Sequence, residues 1–217
     1  MKRLAGFWAL LFCAAIFAAG GIGLSDKLIS YMTAKYGSDA KQRLLDWEKV
    51  IDKGKTASER NKLDLANDFF NQIPYVSDLQ HWGVKDYWAT PVEMLASDGG
   101  DCEDYAIGKY FTLIAMGVSE DKLKITYVRE LRFDPVDQAH MVLAYYPTPD
   151  ADPLILDNVD KAIWPGSERD DLVPVYSFNG AGLWLAKERG AGMEVGKPDR
   201  ISMWNDLIAR MNREANR

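Results

Sequence analysis

Cysteine is nearly absent: the 217 residues contain two, Cys13 and Cys102, and Cys13 lies in an apolar N-terminal run. An internal disulfide framework is excluded for the rest of the chain, and paired-cysteine zinc motifs are excluded with it. Histidine is as scarce, with His81 and His140 alone and no HExxH pattern, so a zinc site would lack ligands. Clusters of Lys and Arg are missing beyond the first residues, and a net charge of -6 with a pI near 5.0 argues against a nucleic-acid binder. No internal repeat, low-complexity tract or Pro/Gly/Ser linker divides the chain.

What is present begins with a targeting signal. Lys2 and Arg3 precede an uncharged run from Leu4 to Leu24, apolar through Ala19 and then glycine-rich. A basic start and an apolar stretch have the form of a signal peptide, and Ala18-Ala19-Gly20 offers small residues for cleavage. The run also reaches the roughly 20 residues that a membrane-spanning helix needs. Residues 1–24 are therefore read as a signal peptide or an N-terminal membrane anchor. Glycines at the end of the run favour cleavage, and bulky Phe12 before Cys13 does not suit a lipobox. Either form places residues 25–217 outside the cytoplasm. About 195 residues then remain, enough for one domain with a sizeable core.

The first half of that domain reads as helical, over Ser25 to Tyr36, Asp39 to Lys53 and Ser58 to Gln72. Leu63, Ala66, Phe69, Phe70 and Ile73 recur at helical spacing until Pro74 ends the pattern. An aromatic loop with His81, Trp82, Tyr87 and Trp88 follows, its tryptophans suited equally to a cleft wall or to core. Pro91 to Leu95 reads as a short helical turn, broken at Asp98-Gly99-Gly100. Cys102 then opens an apolar, buried helix that runs to about Met116 and is capped by Gly117. Strand patterns take over at Leu123 to Arg129, Ala139 to Tyr146, Leu154 to Asn158 and Val173 to Phe178, and Ser202 to Arg213 reads as a final amphipathic helix. Helices first and strands after favour an α+β domain, N-terminal helices packed on an antiparallel sheet.

This layout gathers chemistry. The turn Pro147 to Pro153 makes a hairpin of two strands and sets His140 opposite Asp157 within a residue or two. Directly opposed Cβ atoms lie roughly 4.5 to 5.5 Å apart, within reach of an imidazole-carboxylate hydrogen bond. With the hairpin laid against the start of the Cys102 helix, Cys102 is the nucleophile, His140 the base and Asp157 its orienter, and the helix end supplies N–H groups for an oxyanion. Taken singly, each residue also has an ordinary explanation: a packed thiol, a bonded core histidine, the polar end of a strand. His81, beside Trp82 in a loop, is read as a surface residue or as aromatic packing, and as a fallback base.

Asp101, Glu103 and Asp104 surround the thiol, and nearby negative charge works against a thiolate. Hard oxygen ligands suit Ca²⁺ outside the cytoplasm, so a bound calcium beside the nucleophile is one expectation. The other is that the acids only cap the first turn of the helix and meet its dipole.

Gly100-Asp101-Cys102-Glu103-Asp104-Tyr105-Ala106, with His140-Met141-Val142-Leu143, Leu156-Asp157-Asn158, Pro174 to Asn179 and Gly182 to Leu185, resembles the bacterial transglutaminase-like cysteine proteinases, those of LapG type in particular. The likeness runs from about Trp82 to Leu185. It implies a papain-like or transglutaminase-like core and a periplasmic, calcium-dependent endopeptidase. It implies further that the substrate is a large biofilm adhesin, cut near its N-terminus at an alanine-alanine junction, and that an inner-membrane receptor for cyclic di-GMP sequesters the enzyme. The family's triad falls on Cys102, His140 and Asp157, and its acidic metal residues on Asp101 and Glu103, with Asp104 contributing. Two other functions share these residues: a transglutaminase or amidase, and a calcium-dependent periplasmic binding protein with a silent cysteine.

Overall fold

A computed structural model describes residues 24–132, 138–185 and 192–217. The expected leader falls outside the described residues except for Leu24. Among the described residues no helix is long and apolar enough to cross a membrane.

Three helices open the fold: α1 (Asp26–Tyr36), α2 (Ser38–Lys55) and α3 (Glu59–Phe70). Ser25 and Ser58 cap α1 and α3 by accepting from the N–H groups of Leu28 and Asn61. The aromatic loop holds a short helix, α4 (Asp78–His81), that the sequence does not announce, and it leads to α5 (Pro91–Ser97). Proline at its first turn and a Thr90-Glu93 capping box fix where α5 starts. The central helix is α6 (Cys102–Ala115), and the last is α7 (Ser202–Ala215).

Seven strands form one sheet: β1 (Leu123–Glu130), β2 (Gln138–Tyr145), β3 (Leu154–Leu156), β4 (Trp164–Pro165), β5 (Leu172–Phe178), β6 (Leu183–Leu185) and β7 (Met193–Gly196). Their order is β4-β3-β2-β1-β5-β6-β7, and every neighbouring pair is antiparallel. The α+β expectation is met. Strand alternation explains the two-sided burial. Met141, Leu143 and Tyr145 of β2 join Leu123, Ile125, Leu156 and Phe178 in the main core under the helices, whereas Val142, Ala144 and Tyr146 join Val128, Ile155 and Leu172 in a second cluster.

Helix α6 lies on β2 and β1, and α3 packs against it. The approach of α3 is close at Gly108, where a Cβ would meet the Phe70 ring at 2.3 Å. Gly108→Ala gains helix propensity of about 1 kcal/mol, but overpacking a filled core costs about 1–3 kcal/mol, and Phe70 is fully buried with nowhere to move. A net fall in melting temperature is expected by calorimetry; a rise would mean that α3 shifts freely on α6.

Helix α7 braces the segment before the cysteine. Trp204 stacks on Phe111 at 5.8 Å, Arg210 donates to the Trp88 carbonyl at 2.6 Å and pairs with Glu93, and Thr90 donates to Glu214 at 2.7 Å. Trp88 is buried and stacks on Phe178 at 5.7 Å, so of its two sequence readings it belongs to the core.

Candidate active site and metal centre

The turn into α6 is built on small residues for steric reasons. Asp98 closes α5 in the left-handed conformation at φ 59°. A Cβ on Gly99 would stand 3.0 Å from the His81 ring and from Val76, and one on Gly100 would stand 2.7 Å from an Asp104 carboxylate oxygen. Gly100 thus lets Asp104 fold back over the backbone, where its Oδ2 accepts from the Asp101 N–H at 3.2 Å and its Oδ1 from the Ala89 N–H at 2.7 Å. Gly100 also accepts from the Val76 N–H at 3.0 Å, tying the segment before α4 to the cysteine turn.

Cys102 begins α6 half-buried, its Sγ 3.1 Å from Glu103 Oε2. Helix α6 packs on β2, the strand that carries His140. Burial raises the thiol pKa well above its ordinary value, Glu103 and Asp101 add to the rise, and the Met141 N–H opposes it.

His140 and Asp157 meet on that strand. The β2–β3 register pairs Leu143 with Leu156, and one further step sets Asp157 opposite Val142, two residues from His140. Diagonal neighbours on one face are within reach of long side chains, and His140 Nε2 lies 2.8 Å from Asp157 Oδ1. Both are buried. Burial alone would raise the Asp157 pKa; hydrogen bonds from His140 and Arg169 outweigh it and hold the carboxylate ionised, well below its usual range. His81 packs edge-on against Trp82 at 4.6 Å with its Nε2 on Ser97 Oγ at 2.7 Å, so of its sequence readings the structure shows aromatic packing.

The acidic residues form one cluster. Ligand atoms of Asp101, Cys102 and Glu103 lie within 4.8 Å of one another, as do those of Asp78, Asp101 and Asp104 and those of Asp78, Asp86 and Glu103. Burial, then Asp101, pushes Asp78 up to about 6 and Glu103 up to about 9; burial raises Asp101 and Asp104 as well. Among the described residues no Lys or Arg forms a salt bridge with any of them. Part of the cluster caps backbone: Asp104 as above, Asp78 Oδ2 with the Tyr87 N–H at 2.6 Å, Asp101 Oδ2 with the Asp78 N–H at 3.3 Å. Asp78 Oδ1 and Asp101 Oδ1 are buried without a hydrogen-bond partner. Bare buried carboxylate oxygens are costly, and hard oxygen donors converging with no cation beside them fit Ca²⁺. Helix capping accounts for Asp104 and leaves these two oxygens unexplained.

Four residues of the site escape the sequence motif. Asp78 and Asp86 join the cluster from the aromatic loop, where two acids amid Trp and Tyr were the available signal. Arg169 and Lys109 reach Asp157 from the β4–β5 connection and from α6.

Comparison with known proteins places this geometry. The sequence profile of the family described as bacterial transglutaminase-like cysteine proteinase matches residues 40–178. The solved structure of Legionella pneumophila LapG treated with EGTA is similar, with 44% sequence identity, a TM-score of 0.74, and coverage of 86% of this chain and 96% of that chain. The calcium-bound form of that LapG gives 44% identity and a TM-score of 0.72 over 85% of this chain and 98% of the other. No curated protein matches. With the profile spanning more than half of the chain and the LapG likeness nearly all of its described part, the chain belongs to the bacterial transglutaminase-like cysteine proteinases.

Proposed function

We propose that this protein is a periplasmic, calcium-dependent cysteine endopeptidase that cuts the N-terminal region of a large surface adhesin, and that an inner-membrane cyclic di-GMP receptor restrains it. The observation that carries the catalytic part is the His140 imidazole, bonded at 2.8 Å to the buried Asp157 carboxylate on the strand against which the helix opened by Cys102 packs. With Nε2 committed to Asp157, Nδ1 of His140 is the ring nitrogen that takes the thiol proton. The thiolate attacks the scissile carbonyl, the backbone N–H groups at the start of α6 stabilise the oxyanion, and His140 returns the proton to the leaving amine. Water, deprotonated by the same imidazole, then releases the acyl group.

Ca²⁺ held by Asp78, Asp101, Glu103 and Asp104 supplies positive charge where the carboxylates otherwise oppose the thiolate. The two orphan oxygens, Asp78 Oδ1 and Asp101 Oδ1, support this assignment, as does the calcium-bound state of the similar Legionella LapG. Adhesin as substrate, release of biofilm, receptor control and periplasmic location rest on the LapG resemblance and on the exported leader read from the sequence.

The test is incubation of residues 25–217 with a purified adhesin N-terminal fragment in calcium, with product masses read by spectrometry. A single cut between small residues, with the two product masses summing to the substrate plus one water, is the expected result. Crosslinked products that have lost ammonia would replace hydrolysis with amide transfer, and an intact fragment would remove the adhesin from the assignment.

A further inference from the structure

Asp157 is held far more tightly than one imidazole partner requires. Its Oδ1 accepts from His140 Nε2 at 2.8 Å and from the Val159 N–H at 3.1 Å, and its Oδ2 from Arg169 Nη2 at 2.8 Å. Its main-chain carbonyl accepts from Lys109 Nζ and from Asn71 Nδ2, each at 2.9 Å. Arg169 is fixed in turn. Its Nε and Nη2 fork Asp171 at 2.8 Å each, and Arg132 reaches the same carboxylate at 2.9 Å. Lys109 and Arg169 are both buried, and the turn that carries Arg169 is pinned by the Gly166 N–H on the Pro153 carbonyl at 2.7 Å.

We propose that Arg169 is a positioning residue of this enzyme: it fixes the plane and the ionised state of Asp157, and through them the tautomer of His140, while Lys109 anchors the same aspartate by its backbone. The inference rests on the protease reading for its kinetic consequence but not for its structural one. An ionised Asp157 can only accept, so it selects the Nε2–H tautomer and leaves Nδ1 free to act as base. A buried carboxyl with no cation beside it takes up a proton and donates instead, which forces the proton onto Nδ1 and blocks the base. Arg169 prevents that exchange, and its grip on Oδ2 also stops the carboxylate from rotating away from the imidazole. Asp171 keeps the guanidinium in place when His140 moves protons.

The experiment compares Arg169→Gln, Arg169→Lys and wild type by steady-state kinetics on the adhesin fragment, by ¹⁵N-imidazole NMR and by melting curves. Two histidines make the spectrum simple, and His81 is an internal reference. Removing a group that orients a catalytic ligand, with the ligand left in place, lowers activity about 10- to 100-fold; Arg169→Gln is expected to lose that much kcat per labelled Cys102, with KM within about twofold. The His140 signal should pass from the Nε2–H form to the Nδ1–H form. Arg169→Lys restores charge without the fork, so it should recover the tautomer and part of kcat. Wild-type kcat and an unchanged Nε2–H signal in a folded Arg169→Gln protein would overturn the proposal. If that variant does not fold, Arg169→Lys and Asp171→Asn decide it by the same two readings, a lowered kcat at constant KM with a mixed His140 tautomer supporting it and wild-type behaviour in both defeating it. Should wild type cut nothing, the protease reading fails and the NMR comparison still decides the role of Arg169.

Discussion

Cys102→Ala is expected to lower cleavage about 10⁶-fold, and Asp157→Asn about 10⁴-fold, the proportions seen when members of a catalytic triad are removed singly. Their effects on stability should differ just as sharply. The Cys102 sulfur is half-buried and touches the Glu103 carboxylate without holding together any ladder, so alanine there leaves the melting temperature nearly unchanged. Asp157 is buried between His140 and Arg169. Loss of its charge leaves the guanidinium with Asp171 alone, and breaking a buried pair costs about 3–5 kcal/mol. The surviving Asp171 fork argues for the lower end, or about 6–12 °C in a domain of this size. Single-turnover cleavage with calorimetry on the same samples checks both halves. Cutting by Cys102→Ala above about one per cent of wild type would remove the thiol as nucleophile, and an unshifted melting curve for Asp157→Asn would contradict the buried pair.

Much of this arrangement is legible in the chain because local rules and global fold agree. Ser25, Ser58 and Thr90 cap helices where their side chains can reach the third residue on. The Pro147 to Pro153 turn leaves the flanking strands no partner nearer than each other, which brings His140 and Asp157 together once alternation puts Val142 and Ile155 on one face. Leu154 to Asn158 was expected as a strand, yet pairing stops at Leu156; Asn71 and Lys109 take the Asp157 carbonyl, and the Val159 N–H turns to the Asp157 carboxylate. The strands β4, β6 and β7, of two to four residues, carry too few positions for a period to show. Asp78, Asp86, Lys109 and Arg169 stay hidden for another reason. Their significance is set by residues 12 to 48 positions away, reached through connections with no periodic pattern, and spacing rules act only over a turn or a hairpin.

Calcium removal should produce the second large effect, and its dependence on pH carries a definite sign. In the metal-free protein Asp78 is pushed up to about 6 and Glu103 up to about 9, with Asp101 and Asp104 raised beside them, burial being the first cause in each case. Unfolded carboxyls ionise near pH 4. Below that value both states are protonated and these groups contribute nothing to the difference. As pH rises through the window above it, the unfolded chain releases protons that the folded cluster retains, so metal-free stability falls with pH. Bound Ca²⁺ reverses the slope, because it takes the ionised form and its affinity grows as protons leave. At calcium 100-fold above its Kd the gain is about 2.7 kcal/mol, or about 5–11 °C. Melting curves in EGTA should therefore drop between pH 5 and pH 8, while those in calcium stay level or rise, and cleavage in EGTA should vanish. The double variant Asp78→Asn, Asp101→Asn removes the two orphan oxygens as charges. It should melt higher than wild type in EGTA, respond no further to calcium and fail to cleave. Superimposed curves with and without calcium at pH 7.5, together with full activity in chelator, would return Asp101, Glu103 and Asp104 to helix capping and leave Asp78 Oδ1 and Asp101 Oδ1 as uncompensated strain beside the thiol.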